Sequence, residues 1–170
     1  MYTLKVIILS LLMLAPEGEE WTRVRGDNQI SFLFPNRGQR LKREVNGILS
    51  WIFQTKNATG VFGVVCTRLT KERGQLDSYT LQQLYVRMRK ESVAMPTARL
   101  KNEKTIPHKN MDIKEICYTI LKDDREMTYY KRFIFRDNCM YQITIGAPTA
   151  SLRELEKQKE KFFNSVQFEE

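Results

Sequence analysis

Between residues 125 and 136 the chain alternates. Tyr129, Lys131, Phe133 and Phe135 fall on one side of an extended backbone, and Thr128, Tyr130, Arg132, Ile134 and Arg136 on the other. A period of two this rich in aromatic residues predicts a strand. Asp137 and Asn138 tolerate the positive φ that a two-residue hairpin of the primed type demands, so the chain is expected to reverse there. Cys139, Tyr141, Ile143 and Ile145 then alternate with Met140, Gln142 and Thr144 until Gly146 and Pro148. From Ser151 the period lengthens. Leu152, Leu155, Phe162 and Phe163 recur at roughly helical spacing, with Arg153, Glu156, Lys157, Lys159, Glu160 and Lys161 on the wet side. Ser151 and Glu154 have the spacing of a capping box, and residues 165–168 read as a short closing strand returning to the sheet.

The first half is organised the same way. Short strands are predicted over residues 21–25 and 29–35, the second closed by Pro35. Residues 47–56 and 61–69 form a central hairpin around the turn at 57–60. Asp77 or Ser78 caps a helix whose apolar face is Leu81, Leu84, Tyr85 and Met88, and whose other face carries Arg87, Arg89 and Lys90. Pro96 ends it. Residues 99–106 make a more polar strand near an edge, where Lys discourages aggregation. Residues 110–121 make another, and Lys122, Asp123 and Asp124 turn the chain into the hairpin described first. The order of strands, helix, meander, helix and last strand is α+β: an antiparallel sheet flanked by helices. Because both faces of the late strands are partly apolar, the expected architecture is an α/β/α sandwich. No repeat or linker divides residues 21–170, which are read as a single domain.

The first 20 residues read differently. Lys5 precedes an apolar run over residues 6–14 broken only by Ser10, too short for the roughly 20 residues that span a bilayer. The pattern predicts an export signal. Pro16 after Ala15 makes a poor cleavage site, so processing near residues 18–20 and retention as an anchor both stand open. The mature chain is expected in the periplasm or medium.

Ile30-Ser31-Phe32-Leu33-Phe34-Pro35, then Arg132-Phe133 leading through Asp137-Asn138 into Tyr141-Gln142-Ile143-Thr144, then Lys161-Phe162-Phe163-Asn164-Ser165-Val166, together resemble the PsbP/Mog-like superfamily. The likeness covers most of the chain after the leader and is strongest to small exported bacterial members with a similar Phe-Phe-x-Ser ending. Members include photosystem accessory subunits, a Ran-binding nuclear transport factor, phage-adsorption proteins and chaperones of secreted effectors. They share binding, so the resemblance implies a binding or accessory module and leaves its ligand open.

Little chemistry competes with that reading. The single histidine, His108, sits beside Pro107 in a predicted loop and supports neither a multi-His metal site nor a catalytic triad. Asp123, Asp124 and Glu126 form a small acidic cluster of the kind that holds a hard cation, but a turn between strands recruits Asp in any case. No catalytic, cofactor or metal site is predicted. Asn57-Ala58-Thr59 matches a glycosylation acceptor, but a tight turn uses the same residues. The three cysteines, Cys66, Cys117 and Cys139, all lie in apolar strand patterns and read as small hydrophobes. On the first and third strands of a meander, Cys117 and Cys139 would be two strand spacings apart, beyond disulfide reach.

The net charge is +8. Arg37, Arg40, Lys42 and Arg43 form one basic cluster, Arg68, Lys71 and Arg73 a second, and Arg87, Arg89 and Lys90 a third. The first and third are the candidates for meeting an anionic partner: an acidic protein, an envelope component or an anionic lipid surface. Nucleic acid is not expected, because export takes the chain away from it and no recognition motif accompanies the charge. The expected function is an exported, non-catalytic binding or accessory module of the cell envelope. A chaperone-like or structural protein holding apolar segments is the alternative, and a groove lined by exposed Trp21, Phe53 or tyrosines would mark it. An enzyme would need a pocket of converging polar groups.

Overall fold

The structure is a computed structural model and describes residues 20–26, 30–45, 48–69, 77–108 and 111–169. The predicted export leader and Lys71 and Arg73 of the second basic cluster lie outside them. In chain order the elements are β1 (Trp21–Arg25), β2 (Ile30–Pro35), β3 (Gln39–Val45), β4 (Ile48–Lys56), β5 (Val61–Arg68), α1 (Ser78–Ser92), β6 (Arg99–His108), β7 (Met111–Lys122), β8 (Arg125–Arg136), β9 (Cys139–Pro148), α2 (Leu152–Asn164) and β10 (Gln167–Phe168). Seven strands form the larger sheet in the order β3-β4-β5-β9-β8-β7-β6, and β1, β2 and β10 form a separate sheet of three. Every pairing is antiparallel.

Turn chemistry sets this order. Asp123 and Asp124 have φ of 49° and 59°, and Asp137 and Asn138 have 49° and 58°. Both pairs join directly opposed residues, Lys122 to Arg125 and Arg136 to Cys139, as a two-residue loop with positive φ at both positions requires. The Asn57 turn is closed by its own side chain: Oδ1 accepts from the backbone N–H groups of Thr59 and Gly60, each at 2.9 Å, and Nδ2 donates to Gln158 Oε1 at 2.9 Å. The asparagine of the glycosylation-like triplet therefore fastens the β4–β5 turn to α2.

The alternation along β8 and β9 sorts residues to two faces. One face of the larger sheet contributes Phe53, Phe62, Val64, Ile134, Tyr141, Ile143 and Ile145, which pack with Ile30, Phe32 and Phe34 of the small sheet and Leu155, Phe162 and Phe163 of α2. Within this layer Glu115 is almost wholly buried, held by Arg132 Nε at 2.6 Å and Lys104 Nζ at 3.1 Å. Arg132 in turn lies 4.5 Å above the Phe163 ring. On the opposite face Tyr85 of α1 packs on Ile116, Tyr118 and Phe133. Asp77 caps α1, accepting from the Thr80 N–H at 2.8 Å. The layers are therefore helix, sheet, and then helix with the small sheet, an α+β sandwich.

The structure corrects four details. Residues 39–45 are a strand, β3, at the edge of the sheet; the sequence pattern hides it because Leu41 is the one apolar residue among residues 39–44. The closing strand β10 pairs with β2 and does not return to the larger sheet. Ser151 ends a 3-10 turn over Thr149–Ser151 and makes no side-chain cap, because Pro148 starts that turn first. His108 is the exposed last residue of β6, opposite Met111, and does not sit on a loop.

Candidate binding face

Helix α1 covers only part of its face of the larger sheet. Its apolar contacts are with β7 and β8, which leaves the half formed by β3, β4 and β5 without a helix among the described residues. The register lays out the rows there: Gln39, Gln54, Gly63 and Thr144 are cross-strand neighbours, as are Leu41, Ile52, Val65 and Gln142. Gly63 makes a trough in the first row. A Cβ there would meet only the Phe53 carbonyl oxygen at 3.8 Å, whereas a Cβ at Gly146 on the covered side would fall 2.2 Å from the Tyr129 ring. One glycine thus admits a neighbouring side chain and the other leaves open space.

Around the trough lies a cleft of about 580 Å³ lined by Asn36, Arg37, Gln39, Gln54, Thr55, Lys56, Val61, Phe62, Gly63 and Thr144. Two cations, three carboxamides and two hydroxyls surround an apolar floor, and there is no carboxylate among the described lining residues. Gln54 Nε2 donates to Gln39 Oε1 at 3.2 Å, tying β4 to the edge strand. At the border with α1, half-buried Lys131 stands opposite Thr144 and donates to Ser92 Oγ at 3.0 Å. Burial pushes its ammonium down from the usual range, with Glu91 opposing that effect.

The basic residues singled out by sequence do not form one patch. Arg37 lines the cleft. Arg40 and Lys42 point to the face of Phe53 and Trp51, and Arg43 to the other face with Leu41. Arg40 is held 5.4 Å above the Phe53 ring. Arg87 and Arg89 are engaged on and beneath α1: Arg87 pairs with Glu91 at 2.9 Å, and Arg89 with Glu103 at 2.6 Å. The Tyr85 hydroxyl, donating at 2.5 Å, and Arg89 together hold the Glu103 carboxyl below its usual range. Lys90 is exposed. Because Glu103 lies on β6, the edge strand opposite β3, the two clusters lie toward opposite edges of the larger sheet.

Lys56, Gln39, Gln54, Gly63 and Thr144 were not legible as site residues. Their convergence depends on β3, and the one local signal was a glycine inside a strand pattern. Of the aromatic residues that would mark a groove for apolar segments, Phe53 is buried, Trp21 is half-buried and packs edge-on at 5.6 Å against Phe62, and Tyr79 stands exposed on α1. Among the described residues no cluster of His, Cys, Asp and Glu could hold a metal ion, and Asp123 and Asp124 are turn residues. None of the three cysteines forms a disulfide. Cys117 and Cys139 lie on β7 and β9 with β8 between them. Burial pushes the Cys117 thiol up, away from the thiolate form that a nucleophile needs.

No protein-family model matches the chain, and no curated protein matches it. Solved structures do. Cyanobacterial PsbP (CyanoP) from Synechocystis sp. aligns with a TM-score of 0.60 at 12% identity, covering 92% of this chain and 97% of its own. LpqN, involved in cell envelope biogenesis of Mycobacterium tuberculosis, aligns with a TM-score of 0.58 at 13% identity, covering 99% of this chain and 98% of its own. The chain has the PsbP/Mog-like fold. Within this PsbP-like frame the β3–β4–β5 half and its cleft are built by this chain's own residues, and they carry the functional reading.

Proposed function

We propose that residues 21–170 form one exported, non-catalytic binding or accessory module that meets a protein or envelope component through the β3–β4–β5 half of its larger sheet. The observation that carries this is the cleft: concave, partly apolar, bearing Arg37 and Lys56 with no carboxylate among its described lining residues. Such a surface attracts an anionic partner and excludes a cationic one. The cell-envelope role of LpqN and the leader pattern support export. With Phe53 inside the core and Trp21 packed against it, neither of these two residues is offered to an apolar segment of a partner, which favours the first reading over a holder of apolar segments.

Gly63→Trp tests the reading. The space above Gly63 is open and a central strand accommodates an aromatic residue, so the fold should persist while the trough fills. With the full chain tagged at its C-terminus and expressed in its source cell, the parent should retain a partner from the envelope fraction. The variant should retain at least about tenfold less, a loss of about 1.4 kcal/mol. Equal retention by a folded variant would overturn the placement of the site.

A further inference from the structure

The larger sheet ends in two edge strands built on different plans. β6 carries Pro107, a register shift between Leu100 and Asn102, and Lys101 and Lys104, devices that stop a further strand from adding. β3 has none of the backbone devices. Its seven residues pair with β4 in continuous register, it contains neither Pro nor Gly, and residues 39–44 are exposed. Its outer side therefore presents a regular series of N–H and C=O groups that no strand of the sheet satisfies among the described residues.

We propose that β3 is a pairing edge for an extended acidic segment of a partner protein, which adds to the sheet as a further strand. This deepens the binding-face reading and rests on it. Backbone pairing of this kind supplies affinity, while alternate side chains supply selectivity. Arg40 and Lys42 project to one face, and Arg40 is already fixed over Phe53. Leu41, 49% exposed, and Arg43 project to the other. An incoming strand therefore fits best with carboxylates opposite Arg40 and Lys42 and an apolar residue opposite Leu41, since opposite charges across a pair stabilise and like charges do the reverse. A second copy is the poorer occupant. Two β3 strands side by side would set six cationic side chains against two carboxylates.

The probe is a synthetic peptide as long as β3 that alternates Glu with Val, compared with one alternating Lys with Val. Amide hydrogen exchange of the full chain is followed by NMR. With the Glu peptide, alternate amides of Gln39–Val45 should slow. The Lys peptide should bind at least about tenfold more weakly. Lys42→Glu should reverse that preference, whereas Lys101→Glu, the same charge change on the β6 edge, should leave it intact. Absence of slowing in β3 at millimolar Glu peptide would overturn the proposal. So would β3 protection without peptide in a chain that sediments as a dimer, which would assign the edge to a second copy. Slowing confined to Gln54 and Gly63 would refute edge addition while leaving the binding face standing. Loss of partner retention in Gly63→Trp with none in Lys42→Glu would divide the two readings in the same way.

Discussion

Replacing Phe162 with Ala removes the ring that joins α2 to both sheets. Phe162 is fully buried, stacked at 5.6 Å on Phe34 of β2 and edge-on at 5.3 Å to Phe62 of β5, with Phe163 alongside at 5.9 Å. The neighbours come from three elements of a closed layer, so they cannot collapse together into the space the ring leaves. Truncation at such a site costs about 3 to 5 kcal/mol through lost transfer energy and a residual cavity, a large part of the roughly 5 to 15 kcal/mol that holds a domain of this size. For a chain of this length that corresponds to a melting temperature about 6 to 20 °C lower. Thermal unfolding followed by circular dichroism reads it directly. His108→Ala, at the exposed end of β6, should change stability by less than about 0.5 kcal/mol. A Phe162→Ala chain that melted with the parent would refute the packing of α2. Combining it with Phe34→Ala should reveal a coupling of about 0.5 to 1.5 kcal/mol between the two rings.

Three further outcomes are expected. Glu115→Ala strands Arg132, whose side chain is only 12% exposed, and should cost about 3 to 5 kcal/mol by chemical denaturation; a cost below about 1 kcal/mol would mean that Arg132 finds water instead. Burial pushes the Tyr118 hydroxyl up from 10.0 to about 12. A raised folded-state value means the unfolded chain ionises first, so this contribution is fully present below pH 10 and is lost as pH rises through 12; Tyr118→Phe should flatten the alkaline limb of a stability-against-pH curve. Gly146→Ala should destabilise by about 1 to 3 kcal/mol through collision with Tyr129, while Gly63→Ala on the open side should stay within about 1 kcal/mol of the parent, a contrast that paired melts would check.

The hairpins were legible because Asp123-Asp124 and Asp137-Asn138 meet a local demand for positive φ that few other residues meet. The meander followed from them, and with it the separation of Cys117 from Cys139. Long-range choices left no such mark. Nothing in Gln167 and Phe168 says that they pair with Ser31 and Ile30, because the partner is selected by packing of the whole layer. β3 escaped notice for a physical reason: an edge strand exposed on both faces needs no apolar alternation, so its Arg, Lys and Glu looked like a loop. The cleft was invisible for the same reason, since Arg37 and Gln39 meet Gln54 and Lys56 only once β3 is in place. Charge clusters along the chain, but sequence adjacency does not tell which face of a pleated strand each residue takes. Arg40 and Arg43 are near in sequence and point opposite ways.

The most direct test of the binding face is site-specific photocrosslinking in the source cell. A photoreactive residue is placed at Gln54, in the lining of the cleft, and separately at Gln83, exposed on α1. A discrete adduct from Gln54, absent from Gln83 and lost when Gly63→Trp is added, is the expected result. An adduct from Gln83 with none from Gln54 would contradict the account and move the partner to the helix-covered half of the sheet.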